Sequence, residues 1–244
     1  MPFLAALQFL TAIPITGLKF SQRDIARSSA YFPLAGAVLG LCLLGANNAL
    51  SYLFPEPLTN LCLVFVLIIL TGGLHLDGLA DTLDGLGGGK DKQRMLSIMR
   101  DSHKGTFGVI GIIGAILFKV FALSAIPLSM KGSCLFIFPV LSRWSMTIPM
   151  MLYPYARSEG KAKLFIDGMN MKIFLWASIF ALSLAAAANW LGIAIMLIVA
   201  AFTLLSSQFI SKKIGGMTGD TLGAINELNE IVVLLSAIVA GKVL

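Results

Sequence analysis

Long apolar runs without a polar face exclude most folds for this chain, because a soluble helix needs one hydrated stripe and these show none. A helix of about 20 such residues covers the roughly 30 Å of bilayer hydrocarbon. Candidate spans are 31–54, 58–76, 106–128, 133–153, 173–188, 192–210 and 231–244. The stretch 173–210 is too long for one crossing, and "ANWLG" around Asn189 offers a polar, glycine-bearing place to turn. The last run is short for a crossing, so its start is left open toward the preceding "NELNE". The N-terminal "MPFLAALQFLTAIPI" has neither a basic leader nor a small-residue cleavage site, and "IPITG" breaks it early. A half-inserted or interfacial helix is expected there. Composition agrees, with 57% hydrophobic residues, 12% charged and a mean hydropathy of +0.89. The expected fold is all-α: a polytopic integral membrane helical bundle of about seven transmembrane helices after a short N-terminal helix. No linker, low-complexity tract or internal repeat divides residues 1–244, so a single integral membrane domain is expected.

Alternation of the spans puts loops 17–30, 77–105, 154–172 and 211–230 on one side, and these hold 14 of the 18 Lys and Arg residues. Lys131 lies in an opposite loop, Lys242 near the C-terminus, and Lys119 and Arg143 inside spans. Bases in short loops mark the cytoplasmic side, so the four loops are expected to face the cytosol. Ten of the 12 acids lie in three of those same loops. The net charge of +6 therefore has a topological cause, and no nucleic-acid module is visible. Cys42, Cys62 and Cys134 sit in apolar runs without CxxC pairing and read as small buried hydrophobes.

The chemistry concentrates in "GGLHLDGLADTLDGLGGGK". If the helix continues from Leu74, then Asp77, Asp81 and Asp84 stand at i, i+4 and i+7, within roughly 60° of one another on one face. Three adjacent carboxylates repel unless a cation sits among them, and a hard divalent ion such as magnesium suits carboxylate oxygen and phosphate together. A solvated helix end explains one aspartate but not a stripe of three. His75 is open between a hydrogen-bond partner for a carboxylate and a ligand or base. The run "GLGGGK" fails as a phosphate loop, since Asp91 follows Lys90 where Ser or Thr is required.

Downstream, "KDKQRMLSIMRDSHKGTFG" supplies Lys90, Lys92, Arg94, Arg100 and Lys104 around a short amphipathic helix. Asp101, Ser102, His103 and Lys104 form a polar cluster that lipid attraction does not require, and the cations suit a pyrophosphate clamp. In "KIGGMTGDTLGAINELNE", Asp220, Glu227 and Glu230 share one side of a helix that Thr218 or Thr221 can cap. Two acidic faces on one side of a membrane point to a cage for metal-bound phosphate. A cation-coupled transporter also uses acids, but at midplane in broken helices and not beside cationic loops. Arg143 in "LSRW" is open between a structural ion pair and a substrate contact, and Lys119 between snorkelling and pairing with an acid.

These segments resemble the cobalamin synthases, the adenosylcobinamide-GDP ribazoletransferases. "FLTAIPI", "GGLHLDGLADTLDGLGGG", "RMLSIMRDSHKGTFGV", "LSRW" and "GGMTGDTLGAINELNE" occur in that order over nearly the whole chain. The resemblance implies a magnesium-dependent transferase in a bacterial or archaeal inner membrane, active at its cytosolic face. It would join adenosylcobinamide-GDP to alpha-ribazole or its 5'-phosphate, releasing GMP and giving adenosylcobalamin or its 5'-phosphate. It also implies a metal held by Asp77, Asp81, Asp84 and Asp220, a proton taken by Asp81 or Glu227, and charge neutralised by Arg94, Arg100 and Lys104. Homo-oligomers and other corrinoid-pathway enzymes are open as partners. A CDP-alcohol phosphotransferase is the rival enzyme, but its signature places Ala-Arg after the first Asp-Gly, whereas here Ala80 is followed by Asp81.

Overall fold

Helix boundaries follow local signals that are visible in the computed structural model, which describes residues 1–15, 17–188 and 190–243. Helix α1 (Pro2–Leu10) starts on a proline, and α2 (Gln22–Ser28) is set by a capping box in which Ser21 Oγ accepts the Asp24 N–H and the Asp24 carboxylate accepts the Ser21 N–H. There follow α3 (Phe32–Leu50), α4 (Glu56–Thr71), α5 (Leu74–Gly88) and α6 (Lys92–Ile98), the last capped by Asp91. Next come α7 (Thr106–Ala125), α8 (Leu128–Ser145), α9 (Thr147–Leu152) and α10 (Lys163–Asp167). Helices α11 (Met171–Ala188), α12 (Trp190–Ile214) and α13 (Gly219–Val243) complete the chain. The fold is all-α, and among the described residues the only β pairing is an isolated bridge between Tyr155 and Met217.

Six helical segments among the described residues are long and apolar enough to cross a membrane, and a bent pair, α4 with α5, brings the number to seven. Two expected spans differ in detail. The run expected over 58–76 stops at Thr71, because Gly72 and Gly73 adopt left-handed backbone at φ +60° and +69° and turn the chain by 90°. The Leu70 carbonyl near that end accepts the Ala12 N–H at 2.7 Å, so the segment after α1 satisfies a group that the helix itself leaves open. The last span begins at Gly219 and not near residue 231, so Glu227 and Glu230 lie inside a helix. Its start is set by Thr218 and Thr221, whose hydroxyls each accept the other's N–H. The turn expected around Asn189 falls on a residue outside those described.

Helix α13 is central, packed by α5, α7, α8 and α12, while α3 lies along α8. The interior is apolar (Leu39, Leu43, Leu63, Leu135, Leu141, Val233 and Leu234), and Ile113, Leu117, Phe121, Leu197, Leu205 and Phe209 are exposed, as a lipid-facing surface requires. Helix α1, too short to span, buries Ala6 and Leu10 in a second cluster with Phe32, Phe165, Ile214 and Met217.

The contact that matters most for function is α5 on α13. A Cβ on Gly78 would lie 2.7 Å from the Asp220 carbonyl oxygen, and one on Gly223 would lie 3.2 Å from the His75 Cα. Only glycine lets these backbones approach so closely, which brings the two acidic segments together. Gly78→Ala is expected to lower stability by about 1–3 kcal/mol through overpacking. Gly45→Ala, which meets nothing within 4 Å, is expected to have no such effect. Thermal unfolding of the two variants in detergent measures the difference.

Candidate active site

On α5 the stripe read from the sequence is present, but its three aspartates do different things. Lys104, from the segment after α6, places its ammonium 2.6 Å from Asp77 Oδ1 and 2.5 Å from Asp81 Oδ1. Burial favours a neutral amine, but the two carboxylates outweigh it and hold Lys104 above its ordinary 10.5. Asp84 is buried and accepts the Gly105 and Gly108 N–H groups at 2.7 and 2.8 Å. It thereby caps the start of α7, where backbone donors have no helical partner and the dipole favours negative charge. That cap holds the Lys104 segment against α5.

On α13, Asp220 in the first turn meets Arg157 Nη2 at 2.8 Å. Asp77 and Asp220 line one cavity of about 260 Å³, together with His75, Tyr155, Arg157 and Lys161, and with Phe9, Met146 and Met150 as apolar walls. Asp81 and Asp84 do not line it. Loop 153–162 is held there because the Ala156 N–H donates to the Met217 carbonyl and the Met217 N–H to the Pro154 carbonyl, at 2.8 and 2.9 Å.

The rest of the second acidic face lies deeper. Lys119 of α7 pairs with Glu227 at 2.6 Å and with Glu230, and Arg143 of α8 pairs with Glu230. Asn226 also donates to Glu230, at 3.2 Å. All four charged side chains are buried, so the network links α7, α8 and α13 inside the bundle. His75 is buried above it, lines the cavity, and leaves Nδ1 without a hydrogen-bond partner among the described residues.

Arg94, Arg100 and Ser102 are exposed outside the cavity lining. Asp101 accepts both the backbone N–H and a ring nitrogen contact of His103, which hold its carboxyl below the ordinary range. Among the described residues, no three His, Cys, Asp or Glu side chains converge as a ready-made metal cage. Tyr155, Arg157 and Lys161 carry no motif in the sequence. The only signal is the basic composition of loop 154–172, which membrane orientation explains equally well.

The model of the cobalamin-5-phosphate synthase family matches residues 2–239. The chain belongs to that family. Proteins called adenosylcobinamide-GDP ribazoletransferase are similar over nearly their whole length. The one from Geotalea daltonii is 37% identical, covering 98% of this chain and 97% of its own. That from Thermoanaerobacter pseudethanolicus is 39% identical over 94% of each, and that from Pseudomonas syringae pv. syringae 38% identical over 97% and 98%. No solved structure matches. In this cobalamin-5-phosphate synthase family member, acids from two distant helices meet at one cavity, and the cations that hold them come from two further loops.

Two outcomes are expected. Arg143→Met leaves two buried carboxylates, Glu227 and Glu230, to share the single Lys119 ammonium. This uncompensated negative charge lowers stability by about 3–5 kcal/mol, most of which is regained when Glu230→Leu restores a one-to-one pair. Thermal unfolding of the single and double variants measures this. For Lys104 the folded value is raised, so its contribution to stability is complete below 10.5 and is lost as pH rises through the raised value. Lys104→Met should therefore weaken the protein at neutral pH and flatten the alkaline end of its stability curve.

Proposed function

We propose that this protein transfers the cobinamide phosphate of adenosylcobinamide-GDP to a ribose hydroxyl of alpha-ribazole or its 5'-phosphate, with magnesium, at the cytosolic face of the membrane. The family and the names of its relatives supply the substrate class. The observation that carries the chemical reading is that Asp77 and Asp220, from helices far apart in the chain, line one cavity while Lys104 bridges Asp77 and Asp81.

The donor set fits a divalent cation. A compact ammonium already sits between two carboxylates, and magnesium is commonly held by one or two carboxylates while water and substrate phosphate complete its shell. Asp77, Asp81 and Asp220 would hold it, with Asp84, whose oxygens accept the Gly105 and Gly108 amides, fixing the geometry from behind. Bound there, magnesium would neutralise charge on the pyrophosphate and on the departing GMP.

The protein's own groups do the remainder. In the reaction a ribose oxygen–phosphorus bond forms, the pyrophosphate P–O bond breaks, and GMP leaves with the bonding electron pair. Asp81, next to Lys104, accepts the hydroxyl proton. The pairing of Glu227 with Lys119 inside the bundle supports Asp81 over Glu227 for that role. With a cation between Asp77 and Asp81, Lys104 would be free to neutralise charge on the phosphates, and exposed Arg94 and Arg100 attract the anionic substrate from water. Arg143 is assigned to the structural network, and His75 to the floor of the cavity.

The test is turnover in detergent or nanodiscs. GMP release is expected only when both substrates and a divalent cation are present, and Asp81→Asn should lower kcat at least a hundredfold. GMP release without the ribazole, or Asp81→Asn turning over at the parent rate, sinks the scheme.

A further inference from the structure

We infer that loop 155–161 is the binding site for the nucleoside monophosphate half of the substrate, with Arg157 and Lys161 as anion donors and Tyr155 as its aromatic wall. The identity of the nucleotide rests on the proposed function; the site rests on the following observations.

Arg157 lines the cavity with its side chain only 10% exposed. It pairs with Asp220 through Nη2 and also interacts with the Tyr155 hydroxyl, while Nε and Nη2 are buried without a well-formed hydrogen bond among the described residues. A buried guanidinium with a donor left open is expensive unless a ligand completes it. Its planar fork suits two phosphate oxygens at once. Lys161 opens into the same cavity, and among the described residues no carboxylate pairs with it.

Tyr155 adds a half-buried ring, with the Lys163 ammonium 5.9 Å from its centroid. An aromatic ring beside an anion site is the pairing that nucleotide recognition uses, stacking a base while cations hold its phosphate. The loop is anchored, not loose: the two hydrogen bonds to Met217 fix its backbone against the residues that lead into α13. Arg157 pairs with Asp220, whereas Lys104 pairs with Asp77 and Asp81. A phosphate held by Arg157 would lie beside Asp220 in the cavity that Asp77 also lines, and the loop would then carry the group that departs.

The experiment is GMP binding to the full chain in nanodiscs by calorimetry, with EDTA and then with magnesium. Arg157→Gln is expected to weaken GMP binding about tenfold or more in both conditions, and Lys161→Gln to weaken it less. Lys172→Gln, outside the cavity, should bind as the parent does. Persistence of the Arg157 effect in EDTA separates direct phosphate contact from a role in placing Asp220. Should Arg157→Gln fail to fold, Arg157→Lys keeps the charge but loses the fork and is expected to bind several-fold more weakly. In turnover, Lys161→Gln should raise KM for the nucleotide substrate and leave KM for the ribazole unchanged. Folded Arg157 and Lys161 variants that bind GMP with parental affinity overturn the inference, even if turnover is normal. Parent protein that binds GMP through Arg157 but releases none from the two substrates leaves the site standing and removes the reaction.

Discussion

Charge buried in a membrane bundle has to be paired, and the pairing of Lys119 and Arg143 with Glu227 and Glu230 sets the interior of this protein. Four ionisable side chains from three helices balance one another away from water. An isolated one would be too expensive to keep. The pairing fixes which faces of α7 and α8 meet α13, and therefore where the first turn of α13, with Asp220, emerges. Apolar packing against lipid-like surroundings is weakly directional, so such a network also specifies register.

Above that network, geometry is delivered by small residues and caps. Glycine at 78 and 223 lets α5 and α13 touch through their backbones, and Asp84 ties the end of α5 to the beginning of α7. Each fastening brings a segment of different sequence position to the acidic stripe or to the cavity that Asp77 lines. The Asp84 cap brings Lys104 to Asp77 and Asp81, the glycine contact brings Asp220 to the cavity, and the bridge to Met217 brings Arg157 there.

Much of this was legible in the sequence, for identifiable reasons. Unbroken hydrophobicity declares spans at any register, and the i, i+4, i+7 spacing of Asp77, Asp81 and Asp84 declares a shared face because helix geometry is local. What is not local was hidden. A pair of glycines after an apolar run reads equally as a flexible end or as a right-angled turn, and only the left-handed φ of Gly72 and Gly73 decides. Lys119 and Arg143 inside spans call for acidic partners, but nothing local says which acids those are. Glu227 lies 108 residues from Lys119 and Glu230 lies 87 from Arg143, on a face equally suited to a metal cage. Loop 154–162 was hidden for another reason: positive charge in it already had a sufficient explanation in orientation.

The right angle between α4 and α5 has a further consequence. A helix advances about 1.5 Å per residue, so the 15 residues of α5 extend for roughly 22 Å across the direction of α4 instead of adding to its depth. Of the aspartates along that arm only Asp77 stands exposed, while Asp81 and Asp84 are buried. A bulky ligand would meet the arm at Asp77 and keep most of its volume outside the bundle.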